Sequence, residues 1–474
     1  MPDQAAGLPG VEIAALAYAT DQVVPGSLFF CVPGFTRDGH DFAPSAIASG
    51  AVALVVQRPL GLGVPEVRVE NVRAAMAPAA ANFYGDPTRS LQVVGITGTN
   101  GKTTTAFLMR ALLEAGHRRT GLLGTVKSVI GGVERDVVRT TPEAIDLQRT
   151  FREMLDGGDR ACAMEVSSHA LELRRADAIH FAAAIFTNLT QDHLDFHPTM
   201  EDYFRAKRRL FVDLAPAHSI INLDDPYGAR LARELPQAVT FALEDRSATF
   251  HATEVDVGLT GSQFTVHAPG ERTELASPLR GRFNVLNLLG AYATARALSI
   301  SPETAVGAIR TAGRVPGRFE AVDEGQEFAV IVDYAHTPDS LENVLRAARN
   351  LTERRVHVVF GAGGDRDRSK RPIMGEIASR VADRVIVTSD NPRSEDPEAI
   401  IAEILAGAGP ETPHQVDRRE AIAEAISGAD PGDVVVIAGK GHEQGQEFEA
   451  GRKLPFDDVT VARELLRAAP LHAR

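Results

Sequence analysis

The chain has 474 residues, 44% of them hydrophobic and 24% charged, with a formal net charge of −13. That length exceeds one ordinary core and predicts about three domains. The acidity argues against nucleic acid as the main partner but leaves room for a local basic pocket that takes small anions. No apolar run approaches the roughly 18 residues of a membrane span. The start, Met1-Pro2-Asp3-Gln4-Ala5, lacks the basic and apolar regions of a secretion signal. A cytoplasmic protein without membrane contact is expected.

In chain order, 28–32 and 51–56 read as buried strands, with a short helix at 44–49 opened by Pro44. Cys31 and Cys162 lie in apolar stretches and read as packed thiols. Gly85 and Pro87 mark a boundary, giving a first unit over 1–87. A second unit, 88–313, alternates strands (93–96, 161–166, 182–187, 219–222) with helices (106–114, 144–155, 200–211, 225–234), which implies a mostly parallel sheet. Within it, 250–255 and 261–266 alternate like an appended antiparallel hairpin, and a helix follows at 284–298. A third unit, 314–474, begins near Arg314 and places strands at 329–333, 356–360, 385–388 and 434–438 between helices. The fold class is three-domain α/β.

The sharpest local signal is Gly98-Thr99-Asn100-Gly101-Lys102-Thr103-Thr104 between a strand and a helix. Glycines let backbone N–H groups face a phosphate, a helix N-terminus adds positive potential, and Lys102 reaches the outer oxygens. Thr103 is placed to offer its hydroxyl to Mg²⁺. Ile96 stands where the general phosphate loop has glycine, so the match is to a shorter form. Glu165 and His193 follow later strands, at the carboxyl ends where open α/β sheets bind ligands, and suit Mg²⁺ on a triphosphate. Either one alone would more often be structural.

Four strand ends of the third unit also carry polar groups: Asp333-Tyr334-Ala335-His336, Gly364-Asp365-Arg366, Asp390-Asn391-Pro392-Arg393 and Gly439-Lys440-Gly441-His442-Glu443. Arg366 and Arg393 suit a carboxylate and Glu443 an ammonium, as a zwitterion such as an amino acid requires. Internal ion pairs between loops are the alternative.

These motifs, in this order with Glu165-Val166-Ser167-Ser168-His169, Asp192-His193-Leu194-Asp195 and Tyr203-Phe204-Arg205-Ala206-Lys207, resemble the Mur ligases of peptidoglycan synthesis over about residues 20–465. The resemblance implies a UDP-substrate domain, a central ATPase and an amino-acid domain. It implies an ATP-dependent amide ligase that adds meso-diaminopimelate to the D-Glu carboxylate of UDP-MurNAc-L-Ala-D-Glu through an acyl phosphate. Thr103 and Glu165 would serve one Mg²⁺, His193 and a carbamylated Lys207 the other. Asn287, Arg318 and Asp333 resemble adenine, nucleotide and ribose contacts. Thr140, Thr141, Ser167 and Arg175 match positions that hold the UDP-muramoyl dipeptide. Arg366, Asp390, Asn391, Pro392, Arg393, Gly439 and Glu443 match the amino-acid pocket, whose Asp-Asn-Pro-Arg form is the one associated with meso-diaminopimelate. A monomer is expected.

Three positions depart from the family's pattern: Arg139 replaces an asparagine, Leu173 a glutamine, and Ala19-Thr20-Asp21 an Asp-Ser-Arg, where Thr20 keeps a hydroxyl for the uridine side. The competing readings are the same ligase adding L-lysine, a folylpolyglutamate synthetase, and a nucleotide-binding relative that has lost catalysis.

Overall fold

A computed structural model describes residues 10–34, 36–258, 260–313 and 315–468. The start Met1 to Ala5 and the expected junction residue Arg314 lie outside them. Three main sheets follow one another along the chain, with a small two-stranded ribbon, Gly445–Glu447 with Lys453–Pro455, beside the third. The first is four-stranded and all parallel, in the order Ala15–Ala17, Ser27–Phe30, Ala51–Val56 and Glu66–Arg68. The outer two strands and the helix Val72–Phe83 carry no clear sequence pattern. That helix is alanine-rich with an internal Pro78, so its buried face (Val72, Met76, Ala77, Ala80) contrasts little with the rest.

The second sheet has eleven strands. At its centre Phe181–Phe186, Gln92–Thr97 and Ala161–Glu165 lie side by side and parallel. Alternate residues of Gln92–Thr97 feed two cores: Val94 and Ile96 pack with Leu108, Met109 and Leu112, and Val93 packs with Phe151 and Phe204. A strand buried on both faces reads as an unbroken apolar run, which is what the sequence shows.

The expected appended hairpin is instead part of this sheet. Phe250–Gly258 pairs parallel with Val239–Ala242, then antiparallel with Gly261–Ala268, which pairs with a third strand, Glu271–Ser277. Phe250, Ala252, Phe264, Val266 and Leu275 continue the main core against the helix Arg282–Ala297, and burying that face anchors the extension.

The third sheet runs Glu320–Val322, Ala329–Asp333, Val434–Ala438, Val356–Phe360, Arg384–Thr388 and His414–Gln415, antiparallel only at its first pair. Its strand ends at Asp333, Phe360, Thr388 and Ala438 therefore open on one edge. Arg418 fixes that edge from beneath. Its guanidinium donates to both oxygens of Asp458 at 2.8 and 2.7 Å and to the Ala438 carbonyl at 2.9 Å, with both side chains fully buried.

Removing one member of such a pair leaves an uncompensated buried charge, which costs about 3–5 kcal/mol. Asp458→Ala should therefore lower the unfolding free energy of the C-terminal unit, read from denaturant titration, by that amount. A loss below about 1 kcal/mol would show that the pair is not a structural anchor.

Candidate functional site

The strand Gln92–Thr97 runs into the loop 98–101 and the helix Lys102–Ala115. Two glycines are demanded by their neighbours. A Cβ on Gly98 would stand 1.8 Å from Thr187 Oγ1, and one on Gly101, at φ +85°, 2.3 Å from Asn287 Oδ1. The loop is pinned by the next strand's end: Asn188 Oδ1 accepts the Asn100 N–H at 2.9 Å, and the Thr187 hydroxyl donates to the Asn100 carbonyl at 2.6 Å. The Thr99 hydroxyl donates to the Thr190 carbonyl at 3.1 Å.

Lys102 folds back over its own loop, Nζ donating to the carbonyls of Gly98 and Thr99 at 2.8 and 2.7 Å. Burial lowers its pKa against the pull of Glu165 and Asp192. Lys207, on the helix Met200–Val212, is 1% exposed and donates to the same Gly98 carbonyl at 2.8 Å. Burial, reinforced by the Lys102 charge, drives its pKa well below the usual lysine range. Read as sequence alone, Lys207 is a helix-surface lysine; the tertiary fold puts it beneath the phosphate loop.

Glu165 ends its strand beside this loop. Its Oε1 accepts the Thr125 N–H at 2.7 Å and its Oε2 the Thr125 hydroxyl at 3.2 Å. His193 sits at φ +56° after the neighbouring strand, its ring 4.8 Å from that of His169. Burial pushes its pKa down to about 3 despite nearby Asp192, so the imidazole is neutral at pH 7 and keeps a lone pair for a cation. Among the described residues no three His, Cys, Asp or Glu side chains gather as a ready-made metal cluster. The Thr103 hydroxyl and the Glu165 carboxylate do line one cleft, and such hard oxygen donors fit Mg²⁺ when phosphate oxygens supply further ligands.

That cleft, of about 530 Å³, lies between the second and third sheets and is lined by the phosphate loop, Asn287, Arg318, Asp333 and Asp339. Arg318 crosses it: Nη2 donates to Thr103 Oγ1 at 3.0 Å while the guanidinium covers the Tyr334 ring at 4.3 Å. Asn100 Nδ2 crosses the other way, to Asp339 Oδ2 at 2.7 Å. Asp333 accepts the Phe319 N–H at 2.7 Å, and burial raises its pKa to about 6 against the pull of Arg318.

On the side facing the first sheet, the Thr141 hydroxyl donates to the Glu165 carbonyl at 2.9 Å and accepts the Ser167 N–H at 3.1 Å. Thr140 shares a 3.1 Å hydroxyl contact with Thr125. Ser167 caps the short helix Ser168–Glu172, a structural task alongside any binding role. Arg175 reaches Glu143 at 2.9 Å, and Arg73 and Arg139 share that carboxylate at 3.3 and 3.0 Å. Three guanidiniums on one buried carboxylate leave a cationic surplus within an acidic protein, and sequence spacing gave no sign of it. Thr20 opens a turn after the strand Ala15–Ala17 and is not among the residues lining the cleft.

The amino-acid candidates of the third unit form a bonded set. Asn391 Nδ2 donates to Glu443 Oε2 at 2.8 Å, and Lys440, fully buried, donates to Asn391 Oδ1 at 2.9 Å and Glu443 Oε2 at 3.0 Å. Lys440 Nζ is also 3.6 Å from Asp390 Oδ1. A Cβ on Gly439 would stand 2.6 Å from Asp390 Oδ2, so this glycine lets the two loops meet. Arg393, at φ +52°, directs Nε to Glu447 Oε2 at 3.0 Å and Nη1 to the Gly364 carbonyl at 2.7 Å. Gly364 in turn has no room for a Cβ beside the Pro392 carbonyl. Arg366 is exposed and donates to the Asp365 carbonyl, whereas the buried arginine of this loop is Arg371, held by Glu395 and Glu403. Glu447 is a partner that lies outside the motifs, and Lys440, inside one of them, is the buried centre of the set.

Lys102, Glu165, His193 and Lys207 thus surround one loop, and the residues nominated for an amino acid surround another across the same seam. Among the described residues no helix is long and apolar enough to cross a membrane.

Comparison with known proteins identifies the family and the fold. Three family profiles match in order: "Mur ligase family, catalytic domain" over residues 12–84, "Mur ligase middle domain" over 96–295, and "Mur ligase, glutamate ligase domain" over 317–441. The UDP-N-acetylmuramoyl-L-alanyl-D-glutamate–2,6-diaminopimelate ligase of Geobacillus kaustophilus is 47% identical over 468 residues, covering 96% of this chain and 95% of the relative. A solved structure of a ligase with that same name superposes with a TM-score of 0.69 at 33% identity, covering 96% and 95% of the two chains. The MurF ligase of Thermotoga maritima, solved in complex with ADP, shares the fold at a TM-score of 0.64, 20% identity and 97% and 98% coverage. With profiles on all three sheets and near-full-length identity of this degree, the chain belongs to the Mur ligase family.

Proposed function

We infer that this protein is an ATP-dependent ligase that joins meso-2,6-diaminopimelate to the D-Glu carboxylate of UDP-MurNAc-L-Ala-D-Glu in peptidoglycan precursor synthesis. The observation that carries it is one cleft between the second and third sheets, lined by residues 99–102 of the phosphate loop, Glu165, Arg318 and Asp333, with Arg393 and Glu443 held at strand ends of that same third sheet. The near-full-length relatives bearing that name support it. In this reading residues 1–87 hold the UDP end, 88–313 the ATP, and 314–474 the amino acid.

The chemistry assigns each group a task. A D-Glu carboxylate oxygen attacks the γ-phosphorus of ATP, ADP leaves, and the amine then attacks the acyl phosphate and displaces phosphate. Such transfer depends on positioning and on neutralising the triphosphate. Lys102 turns from the Gly98 and Thr99 carbonyls to the phosphates. Thr99, Asn100 and Thr104 complete the loop, with Asn287 and Asp333 on the nucleoside and Arg318 on the phosphate side. Mg²⁺, held by Thr103 and Glu165 and by His193 and Lys207, would screen charge on the phosphates. Burial lowers the Lys207 pKa and so favours the unprotonated amine, which adds CO₂ with loss of a proton to solvent; the resulting carbamate would be a carboxylate-like ligand. Thr20, Thr140, Thr141, Ser167 and Arg175 receive the UDP-muramoyl dipeptide, and the surplus charge of Arg73 and Arg139 suits its anionic groups. Arg366 and Arg393 take carboxylates of the amino acid. Asp390 and Glu443 take ammonium groups, on a frame made by Asn391, Pro392 and Gly439.

Phosphate release from ATP, measured with UDP-MurNAc-L-Ala-D-Glu and either meso-diaminopimelate, L-lysine or no amine, tests this reading. Release should require meso-diaminopimelate; release with lysine would keep the ligase and discard the role of Arg393, and no release with any amine would overturn the function.

Lys102→Ala should lower kcat by about a thousandfold or more while the circular dichroism spectrum stays unchanged. Residual ligation near the native rate would remove Lys102 from the mechanism. Arg393→Ala should raise KM for meso-diaminopimelate by about tenfold or more and leave KM for ATP within about twofold. Equal effects on both substrates would contradict its assignment. Lys207→Ala should lose activity and regain part of it with added short carboxylic acids, which substitute for the carbamate.

A further inference from the structure

A second connection between the two larger units lies apart from the groups that bind substrate. The segment after the strand Phe181–Phe186 carries Gln191 and Asp192, immediately before His193. Opposite it, Asp367 and Ser369 lead into the helix Lys370–Val381, immediately after Arg366. Gln191 Nε2 donates to Ser369 Oγ at 3.0 Å and to Asp367 Oδ2 at 3.4 Å. Lys370 Nζ donates to Asp192 Oδ1 at 3.4 Å, and His336 Nε2 of the third unit lies 3.8 Å from Asp192 Oδ2. That same oxygen is 3.4 Å from His193 Nε2. Asp192 and Lys370 are 5% and 4% exposed, so the pair is buried where the two units meet.

We propose that Asp192 and Lys370 form a latch across the seam: positioning residues that bring the amino-acid loop at Arg366 and the His193 side of the ATP site into register together. The physical argument has two parts. First, a buried ion pair contributes little net stability but discriminates strongly between geometries, because either charge left unpaired in the seam retains its desolvation penalty. When the units part to admit substrates, both charges return to water; when they meet, only one register pairs them. Second, Asp192 faces two sides at once. Its Oδ1 accepts from Lys370 Nζ and its Oδ2 lies 3.4 Å from His193 Nε2, so the position of this one carboxylate bears on the orientation of the His193 ring. One carboxylate therefore links closure to the geometry of a group beside the phosphates. Neither residue lines the cleft between the second and third sheets; the pair acts through Arg366 and His193.

This inference rests on the ligase reading. The test is a double-mutant cycle with Asp192→Asn and Lys370→Met in the full chain, assayed with ATP, UDP-MurNAc-L-Ala-D-Glu and meso-diaminopimelate. Each single change should lower kcat by about tenfold or more with KM for ATP within about twofold, and the double variant should be no slower than the slower single. Lys370→Arg, which keeps the pair, should retain kcat within about threefold. Small-angle scattering with a non-hydrolysable ATP analogue and the UDP-dipeptide should show the native chain contracting and Lys370→Met remaining expanded. Multiplicative losses in the double variant, or ligand-induced contraction equal to that of the native chain, would overturn the latch. Should Asp192→Asn fail to fold, Lys370→Arg against Lys370→Met carries the same decision. Absence of ligation by the native chain would instead overturn the ligase reading.

Discussion

The Gly98 carbonyl receives the Nζ atoms of two lysines, Lys102 and Lys207, each at 2.8 Å, and the architecture around the phosphate loop depends on how that conflict is resolved. Two ammonium groups this close in a buried setting repel strongly, since little water is present to screen them. Burial lowers both pKa values: for Lys102, Glu165 and Asp192 oppose the shift, whereas for Lys207, against the Tyr203 ring, the Lys102 charge adds to it and only Asp192 opposes it. The Lys207 amine, its pKa lowered by burial, loses its proton, and so becomes a nucleophile, more readily than an exposed lysine. Its proposed conversion to a carbamate reverses the local sign, replacing lysine–lysine repulsion by attraction and providing an oxygen donor where a cation has to sit.

The remainder of the site follows from where that loop lies. It follows one of the central strands of the eleven-stranded sheet and faces the third sheet, so bonds across the seam reach it directly. Arg318 holds the hydroxyl of Thr103, the first residue after Lys102, and Asp339 holds Asn100. The third sheet in turn presents its four strand ends on one edge, where Lys440 organises Asp390, Asn391 and Glu443 from behind. That buried ammonium offsets part of the negative charge of Asp390 and Glu443; in the proposed reading the remainder meets a substrate's ammonium and Arg393 its carboxylate.

Much of this was legible in the sequence because the signals were local. Strands buried on both faces, such as Val356–Phe360 and Val434–Ala438, are unbroken apolar runs, and strand-end motifs announce themselves by Gly, Asp and Arg after such runs. What escaped is what depends on distant partners. Lys207 sits on an amphipathic helix, and nothing local says that its side chain meets Gly98. Arg366 and Arg371 are five positions apart, and only the fold decides that the second is buried between Glu395 and Glu403. Glu143 draws arginines from three separate segments. The β-extension was misjudged as an appendage because alternation fixes that a strand is half-buried, not which sheet it joins.

The neutrality and carbamylation of Lys207 is the point on which the two-lysine account can be tested most directly. Isotope-labelled bicarbonate, supplied to the purified chain and followed by carbon NMR, should give one carbamate resonance in the native protein and none in Lys207→Ala. A native chain without that resonance, with the Lys207 amine titrating in the ordinary lysine range, would contradict it.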